Sequence, residues 1–314
     1  MELTFVVIDN QLDYYTDLFL SVKRASCRPA TAMWYDNALK RYREATGDKA
    51  AWPPTLEHCL IFFEALRERE LSAATKNNYY RALNGFFNWL KKSNAIETNP
   101  LDLFGTVKAP HPLPLAPPLP IIKRLFTAVK NSLEETDNWR YVRDLALFSV
   151  AFDTGARIGE IERMTVDDVD LLASTIWIYA TKVNQGRTLV LGDETTVIIA
   201  RWISERVKIG VSRKLRSLFV SDYQMQGFRG FTAGGMRERL QYWQDLAGVD
   251  RFRFNGFRHA YAVYSIRNGA ELLDVQGQMG HTNIKTTAVY TLVVPEGRSG
   301  RHKLTSPVRR LGLR

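Results

Sequence analysis

Cysteine is nearly absent: Cys27 and Cys59 are the only two among 314 residues, 32 positions apart. Two isolated thiols cannot build a disulfide framework, and with no histidine pair nearby they are poor zinc ligands. A reduced, cytoplasmic protein is expected. No apolar run reaches about 18 residues, so no membrane span is expected. The opening stretch, MELTFVVIDNQLDYY, is acidic and lacks the basic start and small-residue cleavage site of a secretory signal. The only acidic cluster, DDVD at Asp167–Asp170, reads as a cap on a helix end rather than a Mg²⁺ site. No cofactor and no metal is called for.

What is present is charge and apolar mass. The formal net charge is +10, with 45% hydrophobic and 11% aromatic residues. That composition supports a packed core and invites an anionic partner. The charge is uneven: residues 1–112 carry +1 and residues 113–314 carry +9. Six prolines in the 14 residues Val107–Pro120 block helix and ladder hydrogen bonding, so this stretch reads as an extended linker between two domains.

Before the linker the pattern is helical, over about 11–24, 29–45, 55–69 and 73–92. Trp34, Tyr35, Ala38, Leu39 and Tyr42 share one face, and Leu56, Leu60, Phe63 and Leu66 another. In the last helix Tyr79, Tyr80, Leu83, Phe86, Phe87 and Leu90 form an apolar face. Lys76, Asn77, Arg81, Asn84 and Asn88 lie away from it. Such a stripe can hydrogen-bond phosphates and base edges in a groove, or simply face water. After the linker the pattern is mixed. Thr175–Leu191 alternates, turns at NQGR and alternates again, predicting a β-hairpin with Gly186 in the turn and Lys182 just before it. From Met236 onward the pattern is helical, with breaks at GVDRFRFNG, Gly269 and Gly280. The end, Pro295–Arg314, has six Lys/Arg against one Glu and reads as a basic tail.

Three short stretches carry chemistry. TGARIGEI places Arg157 after Gly155 in apolar surroundings, where a buried guanidinium needs an anion. NGFRHAY places Arg258 at a helix start, where free N–H groups already favour an anion. GHTNIKTTAVYT supplies His281 and, nine residues on, Tyr290. Two guanidiniums can clamp a phosphodiester, a tyrosine hydroxyl can attack its phosphorus, and a hairpin lysine can protonate the leaving oxygen.

These stretches, in this order, resemble the signatures of tyrosine site-specific recombinases, the phage integrase family. TGARIGEI is similar to the first-arginine motif, NGFRHAY to the second, and MGHTNIKTTAVYT to the motif with the last histidine and the nucleophile. ATKVNQGRTLVL falls at the lysine hairpin, and the helix AATKNNYYRALNGFFNWLKKSNAIETNPL resembles the end of the core-binding domain. The resemblance implies a mainly α fold with a small β-hairpin (α+β). A helical core-binding domain (1–106), linker (107–120), catalytic domain (121–294) and basic tail (295–314) would clamp duplex DNA. It implies a nucleoid-associated enzyme that acts as a homotetramer on two double-stranded DNA sites, is monomeric or dimeric when free, and is compatible with accessory DNA-bending proteins. It implies strand exchange through a 3′-phosphotyrosine link and a Holliday junction, without ATP or metal. Arg157 and Arg258 would clamp the phosphate, Lys182 protonate the 5′-oxygen, His281 bond a phosphate oxygen and Tyr290 attack. Glu160 would support Arg157. Where the family usually has His-x-Leu-Arg-His, this chain has Asn255 at the first position. An amide can bind a phosphate but cannot shuttle a proton. Another group or water would then take the tyrosine proton; His259, one helical turn on, is one such group, although it more commonly serves a structural role.

The short stretch before the first helix leaves no room for an arm-binding domain, which points to a simple recombinase. A mobile-element integrase is expected ahead of a Xer-like chromosome or plasmid resolvase. A DNA-binding protein with a weakened site, a type IB topoisomerase and a basic RNA-binding protein are the other readings.

Overall fold

The computed structural model describes residues 11–47, 52–105, 115–179, 186–222, 227–281 and 283–293. The chain divides into two compact units, Met1–Pro112 and Leu113–Arg314.

The first unit is a bundle of α1 (Gln11–Ser26), α2 (Pro29–Thr46), α3 (Leu56–Glu68) and α4 (Ala73–Lys92), followed by a 3-10 turn at Pro100–Asp102. Local chemistry sets the starts. Pro29 sits at the first turn of α2, Thr55 and His58 form a reciprocal cap on α3, and the Ser72 hydroxyl accepts from Thr75 N on α4. The core is rich in aromatics: Phe19, Tyr42, Phe62, Phe86 and Phe87 are all fully buried. The α3 face is rotated from the sequence expectation. Cys59, Phe62 and Leu66 point inward, while Leu60 is exposed. Aromatic packing explains the phase, since Phe62 meets Tyr42 and Tyr79 edge-on. Burial pushes the Cys59 thiol up to about 12, so it packs as an apolar group. Both cysteines are free.

The asparagines of α4 have an explanation the sequence did not offer. Asn99 Nδ2 donates to Asn84 Oδ1 at 2.8 Å and to Asn88 Oδ1 at 3.0 Å, while Asn99 Oδ1 caps Leu101 N. Asn84 and Asn88 thereby pin the 3-10 turn to α4. Arg81 is exposed, and Lys76 and Asn77 are half-buried.

The second unit begins with α5 (Leu119–Glu135) and α6 (Trp139–Thr154). Helix α5 starts two residues inside the proline-rich stretch. Its Pro120 lies in the first turn, where a missing N–H costs nothing. Then follow α7 (Ile158–Ile161), a 3-10 turn (Val166–Asp168), β1 (Val169–Asp170), β2 (Thr175–Ile178), β3 (Arg187–Val190) and α8 (Asp193–Lys208). The chain continues through β4 (Val220–Asp222), β5 (Phe228–Gly230), α9 (Ala233–Ala247), α10 (Asn255–Arg267), α11 (Leu272–Met279), α12 (Ile284–Ala288) and α13 (Tyr290–Val293). Strands β1-β2-β3 form one antiparallel sheet, with Thr175 opposite Val190 and Ile178 opposite Arg187; β4 and β5 form a second. The DDVD run caps the turn as expected: Asp168 accepts from Thr165 N and Oγ1, and Asp170 from Leu172 N and Ala173 N.

Helix α6 is the hub, buried along nearly its whole length against α5, α8 and α10. It carries a buried ion network. The fully buried Asp144 accepts from Arg143 Nε and Nη2 on one oxygen, and from Arg239 Nε and Trp243 Nε1 on the other, all at 2.7–2.9 Å. Arg143 also reaches Val220 O on β4. One carboxylate thus ties α6 to α9 and, through Arg143, to the second sheet. Removing it strands two guanidiniums in low dielectric. We expect Asp144→Ala to cost this unit about 3–5 kcal/mol, measured as a fall in the urea midpoint.

Candidate active site

The site is built where two helices end in glycine. Helix α6 stops at Gly155, whose φ of +61° is the left-handed cap conformation, and a Cβ there would lie 2.6 Å from the Tyr261 ring. Helix α11 stops at Gly280, φ +63°, against Arg187. The Gly155 carbonyl and the Met279 carbonyl face the same group. Arg258, 5% exposed on α10, donates from Nη1 to Gly155 O at 2.6 Å and from Nη2 to Met279 O at 2.8 Å. Its Nη2 also donates to His281 Nε2 at 2.7 Å. Burial first, then the neighbouring Arg157 charge, lowers this guanidinium to about 10, so it remains a cation at neutral pH.

Two residues past Gly155, Arg157 caps α7. Contrary to the sequence expectation its side chain is not buried but 46% exposed. The inward position is taken by Glu160, 8% exposed, which accepts from Arg157 N at 2.8 Å and Arg157 Nη1 at 3.0 Å. The same carboxylate takes Arg187 Nη2 at 3.0 Å, and Arg187 Nε donates to Gln278 O at 2.9 Å. Burial alone would raise the Glu160 carboxyl. The Arg187 and Arg157 hydrogen bonds and charges outweigh it and hold the carboxyl below its ordinary value. Glu160 supports Arg157 and also anchors β3 beside Gly280.

His281 follows the α11 cap. A guanidinium only donates, so Nε2 accepts from Arg258 and Nδ1 carries the proton, given to Thr287 Oγ1 at 2.8 Å. Burial, then Arg258, Arg157 and Arg187, lowers this imidazole to about 4 against the pull of Glu160. Tyr290 opens α13. It is 3% exposed and packs with Val263, Ile266, Val275 and Met279. Its hydroxyl lies 2.8 Å from His259 Nδ1, and His259 Nε2 lies 2.9 Å from Asn255 Nδ2. Burial raises the Tyr290 hydroxyl, with Arg258 pulling the other way.

Of the residues singled out from sequence, Arg157 joins Glu160 and Arg187, Arg258 joins His281, and Tyr290 joins His259 and Asn255, three hydrogen-bonded groups gathered around the ends of α6 and α11. Lys182 lies outside the described residues. Two participants were undervalued. The sequence pattern assigns Arg187, the last residue of the NQGR turn, no role, and it offers His259 only as one of several proton acceptors. The i,i+4 spacing of Asn255 and His259 was the available signal for the second.

The His281 environment sets an acid limb on stability. The unfolded chain binds a proton near pH 6.5, whereas the folded imidazole refuses it until about 4. Folding therefore loses stability as pH falls through that window. Urea midpoints between pH 7 and 5 should fall more steeply for the wild type than for His281→Gln; parallel curves would contradict this.

Comparison with known proteins agrees with the geometry. The phage integrase family model matches residues 122–296. Tyrosine recombinase XerC of Escherichia coli (strain K12 / DH10B) is 26% identical over 294 residues, covering 89% of this chain and 92% of that protein. The fold is similar to the Tn1549 transposon integrase in complex with a circular intermediate DNA: TM-score 0.70, 16% identity, 90% of this chain and 94% of that one. It is also similar to the lambda integrase tetramer bound to a Holliday junction: TM-score 0.68, 14% identity, 92% and 80%. The chain belongs to the phage integrase family and is a tyrosine recombinase, an enzyme that transfers DNA strands.

Proposed function

We propose that this recombinase cuts and rejoins duplex DNA at specific sites through a 3′-phosphotyrosine link at Tyr290. It acts as a homotetramer that passes through a Holliday junction, and it serves a mobile element. One observation carries the assignment of residues. Arg258 touches both the end of α6 and His281, so motifs scattered between Arg157 and Tyr290 meet at one cation. Arg157 presents an exposed guanidinium and meets the phosphate first; Arg258 lies behind it and completes the clamp. A bound phosphate draws Arg258 hydrogens to itself, and its charge favours a proton on His281 Nε2, which can then donate to a phosphate oxygen. Lys182 protonates the leaving 5′-oxygen. In the bundle unit Lys76, Asn77 and Arg81 contact the backbone of the duplex. Asn84 and Asn88 contribute less, because their amides already hold Asn99.

The mobile-element role draws support from the likeness to the Tn1549 integrase. A Xer-like resolvase is the second reading, favoured by the near full-length match to XerC. The two differ in substrate: ends of an element against a chromosome or plasmid dimer site.

Nicked suicide duplexes drawn from DNA flanking the gene test the chemistry. The wild type should form a covalent adduct on a denaturing gel, equally in EDTA. Tyr290→Phe should form none, and Arg157→Ala should cleave about 10²–10³-fold more slowly. An adduct that persists in Tyr290→Phe would refute the assignment.

A further inference from the structure

A tyrosine hydroxyl attacking phosphorus must lose its proton, and the position where the family usually places histidine holds Asn255. The described residues offer few substitutes. His281 has both ring nitrogens engaged, Nε2 by Arg258 and Nδ1 by Thr287. The Asn255 amide cannot accept a proton. Among the described residues, the side chain within hydrogen-bond distance of Tyr290 Oη is His259, at 2.8 Å from its Nδ1. The two rings stand 5.9 Å apart, tilted by 44°. Both partners are fixed in place. His259 lies one turn along α10 from Asn255, and Tyr290 is packed into the apolar cluster formed with α10 and α11.

We propose that His259 is the general base of the cleavage step, with its Nδ1 taking the Tyr290 Oη proton as that oxygen attacks phosphorus, and that Asn255 is the positioning residue that sets its tautomer. This rests on the phosphotyrosine reading above. The P–Oη bond forms and the P–O5′ bond breaks. Its electron pair stays on the 5′-oxygen, which leaves as a hydroxyl after protonation by the acid on that side, the role given to Lys182. In rejoining, the 5′-hydroxyl attacks and returns its proton to the group that supplied it, the role given to Lys182, while P–Oη breaks and the His259 imidazolium returns its proton to Tyr290. The base function has thus moved one helical turn, from position 255 to 259, along the same face of α10.

The tautomer explains why an amide suits position 255. With Nδ2 facing His259 Nε2, as at 2.9 Å here, the neutral ring carries its proton on Nδ1 and donates to Oη. A half-turn of the carboxamide presents Oδ1 instead. That oxygen accepts from Nε2–H, leaves Nδ1 bare to take the tyrosine proton, and solvates the imidazolium once it forms. Burial, then the Arg258 charge from the same helix, holds the His259 imidazole below its ordinary value, so the ring is uncharged at neutral pH. The facing group from α13 is the Tyr290 hydroxyl, itself uncharged until attack.

The test is single-turnover cleavage of a suicide duplex across pH 5–9 by the full chain, with duplex affinity and thermal melting measured in parallel. His259→Gln keeps a polar contact to Tyr290 but cannot take its proton. It should bind duplex like the wild type and cleave about 10²–10⁴-fold more slowly at neutral pH, with a rate that climbs as pH rises. The defect should persist on a duplex with a 5′-bridging sulfur, because a thiolate leaving group needs no acid and repairs only acid defects. Asn255→Asp should move the acid limb of the profile to higher pH, since a carboxylate beside the ring favours the imidazolium. A wild-type adduct together with a His259→Gln rate within about threefold of wild type and an unchanged pH profile would overturn the inference, leaving His259 a structural contact. Repair of His259→Gln by the sulfur substrate would overturn it as well. If the wild type itself forms no adduct, the phosphotyrosine reading fails, and this inference with it.

Discussion

A guanidinium buried where two helices end is the constraint on which the site depends. Arg258 is 5% exposed and, among the described residues, pairs with no carboxylate; backbone carbonyls at the ends of α6 and α11 compensate its charge instead. Helix C-termini carry partial negative charge and unpaired carbonyls, so a cation held between two of them recovers much of its lost hydration. The two glycines follow from this. Each helix must stop in a left-handed turn that directs its last carbonyls to the arginine, and Gly155 and Gly280 adopt that conformation at low cost. The chain leaving each cap carries a residue of the site: Arg157 two positions past Gly155, and His281 directly after Gly280.

Around this fixed cation the remaining charges sort themselves by depth. Glu160 is shared by Arg157 and Arg187 and offsets the repulsion between these two cations. It also leaves Arg157 half exposed rather than sealed in. The electrostatic surplus is positive, and the two arginines of the motifs differ in kind. One is a rigid tie within the fold. The other is half exposed and held on one side by Glu160. Burial first, and then the same surplus, keeps the imidazoles neutral, which suits them to accept a proton or a hydrogen bond rather than to act as standing charges.

Much of this was legible in the sequence, for stated reasons. Helical periodicity in the first 100 residues gave four helices whose bounds differ from α1 to α4 by at most two residues, because strong apolar faces and caps such as Ser72 and Pro29 are local signals. The alternation of Ile176 and Ile178 marked a strand for the same reason, and both residues are buried. What was misread depended on contacts distant along the chain. Arg157 was expected to be buried because its neighbours are apolar, yet the salt bridge to Glu160, a carboxylate shared with Arg187, decides its depth. Asn84 and Asn88 looked like a polar face until Asn99 closed over them. His259 stood only as one proton acceptor among others, more commonly structural, because the partner that decides between these roles, Tyr290, lies 31 residues away. Lys182 falls outside the described residues.

The assignment of Tyr290 as nucleophile has a nearby rival, since the Tyr261 ring packs on Gly155 at the edge of the same site; burial pushes its hydroxyl up to about 12. Peptide mapping of the protein–DNA adduct by mass spectrometry separates them. A nucleotide remnant is expected on the tryptic peptide TTAVYTLVVPEGR, which contains Tyr290. A remnant on Tyr261 or Tyr264 would contradict it and would mean that the Arg258 centre presents a different residue to the phosphate.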